Sequence, residues 1–384
     1  MMAELTMQRV MNLLAITIFL CGDIMPGRGI DQVLPHPSDP RIHEPYLADA
    51  REYVRLAEKA SGPMQRPFSF RTVWGDALAE LNRRSPDVRM INLETAITRS
   101  EEYWEDKGIN YRMHPANAPI LTAAGIDVAA LANNHVLDWG YSGLAETIST
   151  MKKLNIAHAG AGRNRNEAEA PAIVDLGRKG RVIVFSFAVG TSGVADAWAA
   201  LNNRPGVNYL PDLSPDTVLR IREQVQRVKK KGDILIASIH WGPNWGYDIS
   251  PEEVRFAHGL IDAAGMDVIH GHSSHHVKAV EVYHDKLILY GCGDLLNDYE
   301  GIGGHEDFRG DLGLMYFAQV DPATGRLLSL DMMPTQVRHF SVNLASPVEA
   351  AWLAGVLNRE GKKYGTSVKQ IHDKRLRLEW DASK

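Results

Sequence analysis

Along this chain, five short hydrophobic runs each break off into polar residues of the kind that bind metals or move protons. Ile16 to Leu20 gives way to Cys21-Gly22-Asp23, and Val88 to Ile91 gives way to Asn92-Leu93-Glu94. Val128 to Leu131 leads into Asn133-Asn134-His135 with Asp138 just beyond, and Ile234 to Ile239 leads into His240-Trp241-Gly242. The fifth run, Asp267-Val268-Ile269, ends in His270-Gly271-His272-Ser273-Ser274-His275-His276. Short continuous apolar runs of this kind read as strands buried on both faces. Each therefore puts Asp, Glu, Asn or His at the carboxyl end of a strand, the edge at which open α/β sheets bind ligands.

Between the runs, apolar residues recur at helical spacing. Helices are predicted over Glu44–Lys59, Val73–Arg84, Ala116–Ala124, Gly143–Leu154, Pro215–Lys230, Pro251–Ala264 and Pro347–Tyr364. Further strands are predicted at Val182–Phe187 and at the pair Ala279–Tyr283 and Lys286–Tyr290, a hairpin turned by His284-Asp285. Leu314–Val320 and Leu327–Met333 extend the antiparallel part. The pattern predicts mixed sheets with helices outside. Three loops, Arg28–His43, Ser100–His114 and Gly301–Gly313, follow strand ends and are predicted to wall or cover a site.

Composition narrows the class. With 384 residues and 45% hydrophobic side chains, the chain exceeds the length of about 300 residues at which a single core stops growing. One large domain over residues 11–340 is expected, with a C-terminal helix and peripheral tail at 341–384 packed on it. A net charge of −5 argues against a sequence-independent nucleic-acid binder. The cluster Lys229-Lys230-Lys231 reads as a solvated helix end. Met11 to Leu20 is too short to span a bilayer and reads as the first core strand, so a cytoplasmic protein without a membrane partner is expected. Two cysteines exclude a disulfide framework. They sit in a repeated tripeptide, Cys21-Gly22-Asp23 and Cys292-Gly293-Asp294, and read as small buried residues beside tight turns. A thiolate role is the alternative.

Four histidines within seven residues, from His270 to His276, point to a metal or a proton-transfer site. Sequence leaves open which of them face it, because the Ser273-Ser274 turn resets strand register. The ordered set Gly22-Asp23, Asn92-Leu93-Glu94, Asn134-His135 with Asp138 and Gly140, His240-Trp241-Gly242, and Gly271-His272 followed by Val280-Glu281 resembles the CapA family. That family is associated with poly-γ-glutamate capsule synthesis and is built on the calcineurin-like metallophosphatase fold. The resemblance spans Leu14 to Asn297 and implies an α/β sandwich of four layers, α-β-β-α. It further implies one or two divalent ions, with Asp23 and Glu94 on one metal and Glu94 bridging. Asn134, His240 and His272 would hold the second, and His275 or His276 would return to the first. His135 takes the place of the proton-transfer histidine.

Departures from the phosphatase pattern carry information as well. Met25 stands where a histidine is usual, Glu94 replaces a bridging aspartate, and the histidine ending is stretched. Fewer nitrogen ligands favour Ca²⁺, Mg²⁺ or Mn²⁺ over Zn²⁺. The expected chemistry is metal-assisted and acts at a peptide or γ-glutamyl carbonyl, with His135, His275, His276, Asp138 and Asp294 as acid–base residues. Its sharpest version is Cα epimerisation, a role for which the CapA-like fold has been recruited. Phosphoester hydrolysis and non-catalytic binding of an anionic polymer or peptide leader are the alternatives. Arg28, Arg112, Trp241, Trp245 and Tyr299 are candidate contacts for a peptide or anionic small-molecule substrate, and a partner protein could deliver it.

Overall fold

A computed structural model describes residues 15–105 and 107–381. The expected start of the core strand at Met11, and the extension before it, lie outside the described residues. The first half supplies strands β1 (Ile16–Leu20) and β2 (Asp23–Ile24), helices α1 (Arg51–Ser61) and α2 (Asp76–Arg84), and β3 (Val88–Leu93). Next come β4 (Val128–Ala130), α3 (Gly140–Lys153), β5 (Arg181–Val189), α4 (Pro215–Val228), β6 (Asp233–His240) and α5 (Pro251–Asp262). The remainder runs through β7 (Val268–His272), β8 (Val280–Tyr283), β9 (Lys286–Leu289), β10 (Asp294–Leu296), β11 (Leu312–Val320) and β12 (Leu327–Arg338). It closes with α6 (Pro347–Gly361), β13 (Thr366–Gln370) and β14 (Leu376–Trp380).

Two large sheets result. One has eleven strands, with the path β10-β2-β3-β1-β11-β12-β14-β13 and β4 paired to β3. The other has seven and contains β5-β6-β7-β9-β8 in that order. Residue alternation explains the layering. On β1, Ile16, Ile18 and Leu20 face an inner core, and Phe19 faces an outer one. On β6, Ile234 and Ile236 join the same inner core, while Leu235, Ala237 and Ile239 pack outward. The inner core therefore lies between the sheets. The outer core of the first sheet is covered by α1, α2 and α3 through Val54, Leu81, Leu144 and Ile148. That of the second is covered by α4 and α5 through Ile221, Val225, Phe256 and Leu260. The architecture is the expected four-layer α-β-β-α sandwich.

Element boundaries differ from the expectations where local chemistry intervenes. The helix expected from Glu44 begins at Arg51, because Glu44 is held in a buried ion pair with Arg28 and a hydrogen bond from Tyr53. The helix expected over Val73–Arg84 is interrupted at Gly75, whose φ of 46° a helix cannot accommodate. The C-terminal segment is more than a peripheral strand. Its β13–β14 hairpin pairs with β12 and extends the first sheet, and α6 sends Leu353, Val356 and Leu357 into the core between the sheets. Arg84 and Arg377 both donate to Asp331 on β12, which fastens that hairpin to the main sheet.

Candidate metal centre

Both sheets present strand ends to one place. In the first sheet β2 lies parallel to β3 and β10, which sets Asp23 beside Asn92 and Asp294. The two Cys-Gly-Asp tripeptides thus lie side by side, and Asp23 donates its N–H to the Gly293 carbonyl at 3.0 Å. A Cβ on Gly22 would stand 1.5 Å from that carbonyl oxygen, so only glycine permits the approach. In the second sheet β6 and β7 are parallel and in register, which pairs His240 with His272.

The side chains converge. Ligand atoms of Asp23, His240 and His272 lie within 4.8 Å of one another, as do those of Asp23, His275 and Asp294. Glu94, just past β3, has Oε1 3.7 Å from His135 Nε2 and 3.8 Å from His240 Nε2. Asn134 Oδ1 is 3.1 Å from His240 Nε2. The Nδ1 atoms of His240 and His272 stand 2.8 Å apart. Asn92 Nδ2 donates to Asp23 Oδ1 at 2.6 Å, and the Ser273 N–H donates to Oδ2 at 3.2 Å.

This donor set fits a divalent cation. Glu94 Oε2 is buried with no hydrogen-bond partner, and Asp23, Glu94 and Asp294 are each no more than 1% exposed. Burial first, and then repulsion by neighbouring carboxylates, pushes the Asp23 and Glu94 pKa values up. A cation among them would remove that penalty. His240 and His272 are held neutral by burial, the form that ligates.

Two His–Asp pairs flank the cluster. At the Glu94 end, His135 Nδ1 lies 2.6 Å from Asp138 Oδ2, and the Tyr111 N–H donates to the same oxygen at 2.6 Å. Burial pushes the His135 imidazole down to about 4, against the pull of Asp138. At the other end, His275 Nδ1 lies 3.0 Å from Asp294 Oδ1, and His275 Nε2 is 3.3 Å from the Tyr299 hydroxyl. Burial works against charge there too, but Asp294 outweighs it and the His275 pKa moves up.

Several expected site residues lie elsewhere. Both ring nitrogens of His276 are taken by backbone, Nδ1 at the Val277 carbonyl and Nε2 at the Gly246 N–H, and its ring packs against Tyr247 and Phe308. It is a wedge, turned from the cluster by the Ser273 turn at φ 102°. Trp241 belongs to the outer core, stacked near Tyr290 and donating to its carbonyl. Arg112 lies over Trp139 and ties together the Ser100 and Asp39 carbonyls. His270 spans Ser238 and the Cys21 carbonyl. Burial pushes both cysteine thiols up, away from the thiolate form.

A cavity of about 720 Å³ opens above the centre, and His275, Tyr299, Trp245, Arg28 and Tyr111 are among its lining. Trp245 stacks on His305 of the expected Gly301–Gly313 lid at 4.2 Å. Arg28 is committed to Asp298 and Glu44, sandwiched between Tyr53 and Tyr111. Lys107 carries no sequence signal beyond its loop. Its Nζ nevertheless lies 3.0 Å from His135 Nδ1 and 2.8 Å from Asp138 Oδ1. Asp298 was equally silent in the sequence, because it ends no apolar run in a metal-binding motif, whereas Asn92, which follows the Val88–Ile91 run, serves Asp23 as a hydrogen-bond donor.

Fold and site together define a four-layer α-β-β-α sandwich with a buried cluster of side chains that could hold a metal ion. Within that class the chain belongs to the family described as bacterial capsule synthesis protein PGA_cap, whose pattern it matches over residues 17–299. It is 48% identical over 354 residues to a probable polyglutamine synthesis accessory protein of Mycobacterium tuberculosis, covering 92% of this chain and 93% of that one. It is 29% identical over 291 residues to the capsule biosynthesis protein CapA of Bacillus anthracis, covering 74% and 60%. Among solved structures it is similar to a novel phosphatase from Mycoplasma pneumoniae at TM-score 0.46 and 10% identity, covering 83% and 93%. No described helix is long and apolar enough to cross a membrane.

Proposed function

We propose that this protein is a divalent-metal-dependent enzyme acting at a peptide or γ-glutamyl carbonyl during production of a glutamate- or glutamine-based polymer, with Cα epimerisation as its sharpest form. The carrying observation is the pair of His–Asp couples at the two ends of one ligand cluster. Asp23, Glu94, Asn134, His240 and His272 would hold the cation. Their mix of oxygens and nitrogens suits Mg²⁺, Mn²⁺ or Ca²⁺ better than an all-nitrogen or thiolate site would. When bound, such an ion supplies Lewis acidity that polarises a carbonyl.

The remaining chemistry falls to side chains. Asp138 pins His135 Nδ1, which leaves Nε2 directed at the cluster to accept a proton. Asp294 pins His275 Nδ1, and its Nε2, beside the Tyr299 hydroxyl at the cavity, is set to donate one. Two imidazoles at opposite ends of the cluster, one held down by burial and one held up by Asp294, suit removal of a proton on one face and its return on the other. The names of the relatives in Mycobacterium tuberculosis and Bacillus anthracis support a substrate of the polyglutamine or capsule type.

The test is incubation with glutamyl and glutaminyl peptides in D₂O, with Mn²⁺ or with chelator, followed by mass spectrometry. Metal-dependent gain of one deuterium at Cα is expected, falling by about 10²–10⁴-fold in His135→Ala. Aryl-phosphate turnover without any exchange would instead make the protein a phosphoester hydrolase, the reading favoured by the Asn134–His135 step beside His240. Metal-independent binding without product would make it a binding protein.

A further inference from the structure

The cavity continues well past the metal centre, and its outer part has an unusual balance of charge. Three arginines, Arg28, Arg309 and Arg338, share its walls with Glu300, Glu306, Asp311 and Glu349. Two of the arginines are already committed. Arg28 donates twice to Asp298, at 2.8 and 2.5 Å, and to both Glu44 oxygens, at 3.1 and 3.4 Å. Arg309 donates twice to Asp311, at 2.7 and 2.8 Å, and lies 3.5 Å from Glu349. Only Arg338, an exposed residue of the cavity wall, keeps a guanidinium with no ion partner among the described residues.

A chain bearing a carboxylate on every residue would therefore run past more anions than free cations, at separations where like charges repel. Free amide groups point to a different occupant. Asn244, beside His275, has a side-chain amide with no partner among the described residues. Gln336 gives its Nε2 to Asp311 at 2.9 Å, which leaves its Oε1 for an incoming N–H. Tyr46, 83% exposed, adds an apolar face at the rim, and such a face suits the methylene stems of long polar side chains.

We infer that the outer cleft takes a chain of uncharged, amide-bearing residues and reads a single carboxylate through Arg338. This rests on the reading of the cavity as the substrate cleft, and it names the class of chain that enters: glutaminyl rather than glutamyl side chains, with one free terminal carboxylate. Substitution of acid for amide on successive residues is then the feature that the cleft rejects.

The test is calorimetric titration of the full chain, supplied with Mn²⁺, with short acetylated peptides of alternating glutamine and glycine or glutamate and glycine. Each peptide is used with a free and with an amidated C-terminus. The glutamine peptide is expected to bind at least about tenfold more tightly than the glutamate peptide, with the gap narrowing in high salt. The free acid is expected to bind more tightly than the amide by about tenfold in the parent, and equally in Arg338→Met. Glu306→Gln, a change at an exposed rim residue, is expected to narrow the gap between glutamine and glutamate. Glutamate peptides binding as well as or better than glutamine peptides would overturn the inference, and so would an acid–amide difference that survives Arg338→Met. Because affinity is read rather than turnover, a failure of the deuterium-exchange assay would remove the proposed chemistry and leave this preference to be judged separately.

Discussion

Glu94 has two carboxylate oxygens in different circumstances. Oε1 approaches His135 and His240, while Oε2 is buried and unpartnered. A carboxylate buried that way costs stability in its charged form, and a cation would offset that cost. Glu94→Gln removes the charge and keeps the shape. It is expected to raise the melting temperature in chelator while lowering Mn²⁺ affinity by more than about 100-fold, beyond what a supporting partner of a ligand is worth. Unchanged affinity in calorimetry would take Glu94 out of the cation site. Lys107 poses a different question, because its ammonium sits on the His135–Asp138 couple from a loop. Lys107→Met leaves every cation donor in place. It is expected to leave Mn²⁺ affinity unchanged and to lower Cα exchange by up to about 100-fold through a misaligned imidazole. Equal exchange rates would make Lys107 a loop anchor only. Lys107 could not be found from sequence, since a lysine in a polar loop looks like any solvated lysine until the fold brings it to a site. His276 misled for the converse reason. Its place in a histidine-rich run looks chemical, but Ser273 turns the register so that His275 faces Asp294 and His276 faces backbone.

Among elements, the paired Cys-Gly-Asp turns carry the sharpest constraint. Their repetition was legible in the sequence, and so was each preceding apolar run. That they lie against each other was not, because pairing between strands far apart in the chain leaves no mark on local spacing. With Gly22 so close to the Gly293 carbonyl, Gly22→Ala must push β2 and β10 apart. It is expected to cost about 1–3 kcal/mol in urea unfolding and to weaken Mn²⁺ binding together with it, since Asp23 and Asp294 ride on those strands. Full stability in Gly22→Ala would show that the turns have room to give. The C-terminal hairpin depends on Asp331, which accepts from Arg84 and Arg377 at 3.0 and 2.7 Å. Burial works to raise its pKa, but those bonds win and hold it below the ordinary carboxylate range. A depressed native pKa means stability that is present above the unfolded value of about 4 and is lost as pH falls through the native value. Amides of β13 and β14 are therefore expected to lose hydrogen-exchange protection in that acid window before β5 and β6 do. Simultaneous loss across both sheets would refute a local role for Asp331.

At the scale of the whole molecule, the strand–helix alternation was read correctly because buried strands and amphipathic helices differ in period, 2 against 3.6. Which strands form which sheet was beyond that signal, and the consequence is functional. Asp23, Glu94 and Asn134 follow strands of the eleven-stranded sheet, whereas His240 and His272 belong to the seven-stranded one and His275 lies just past it. Between the two lies an inner core of non-directional apolar contacts such as Ile18, Met90, Ile236 and Val268, which resists separation of the layers but specifies their relative placement only loosely. A cation held by donors from both sheets would fix that placement at one end. Its binding free energy would then appear as stability of the whole sandwich, about 2.7 kcal/mol at a hundredfold excess over the dissociation constant. Hydrogen exchange with and without Mn²⁺ is expected to show added protection in β3 and β6 together, on opposite sheets. Protection confined to one sheet would mean that the donors from the other do not engage, and the centre would have to be redrawn within a single layer.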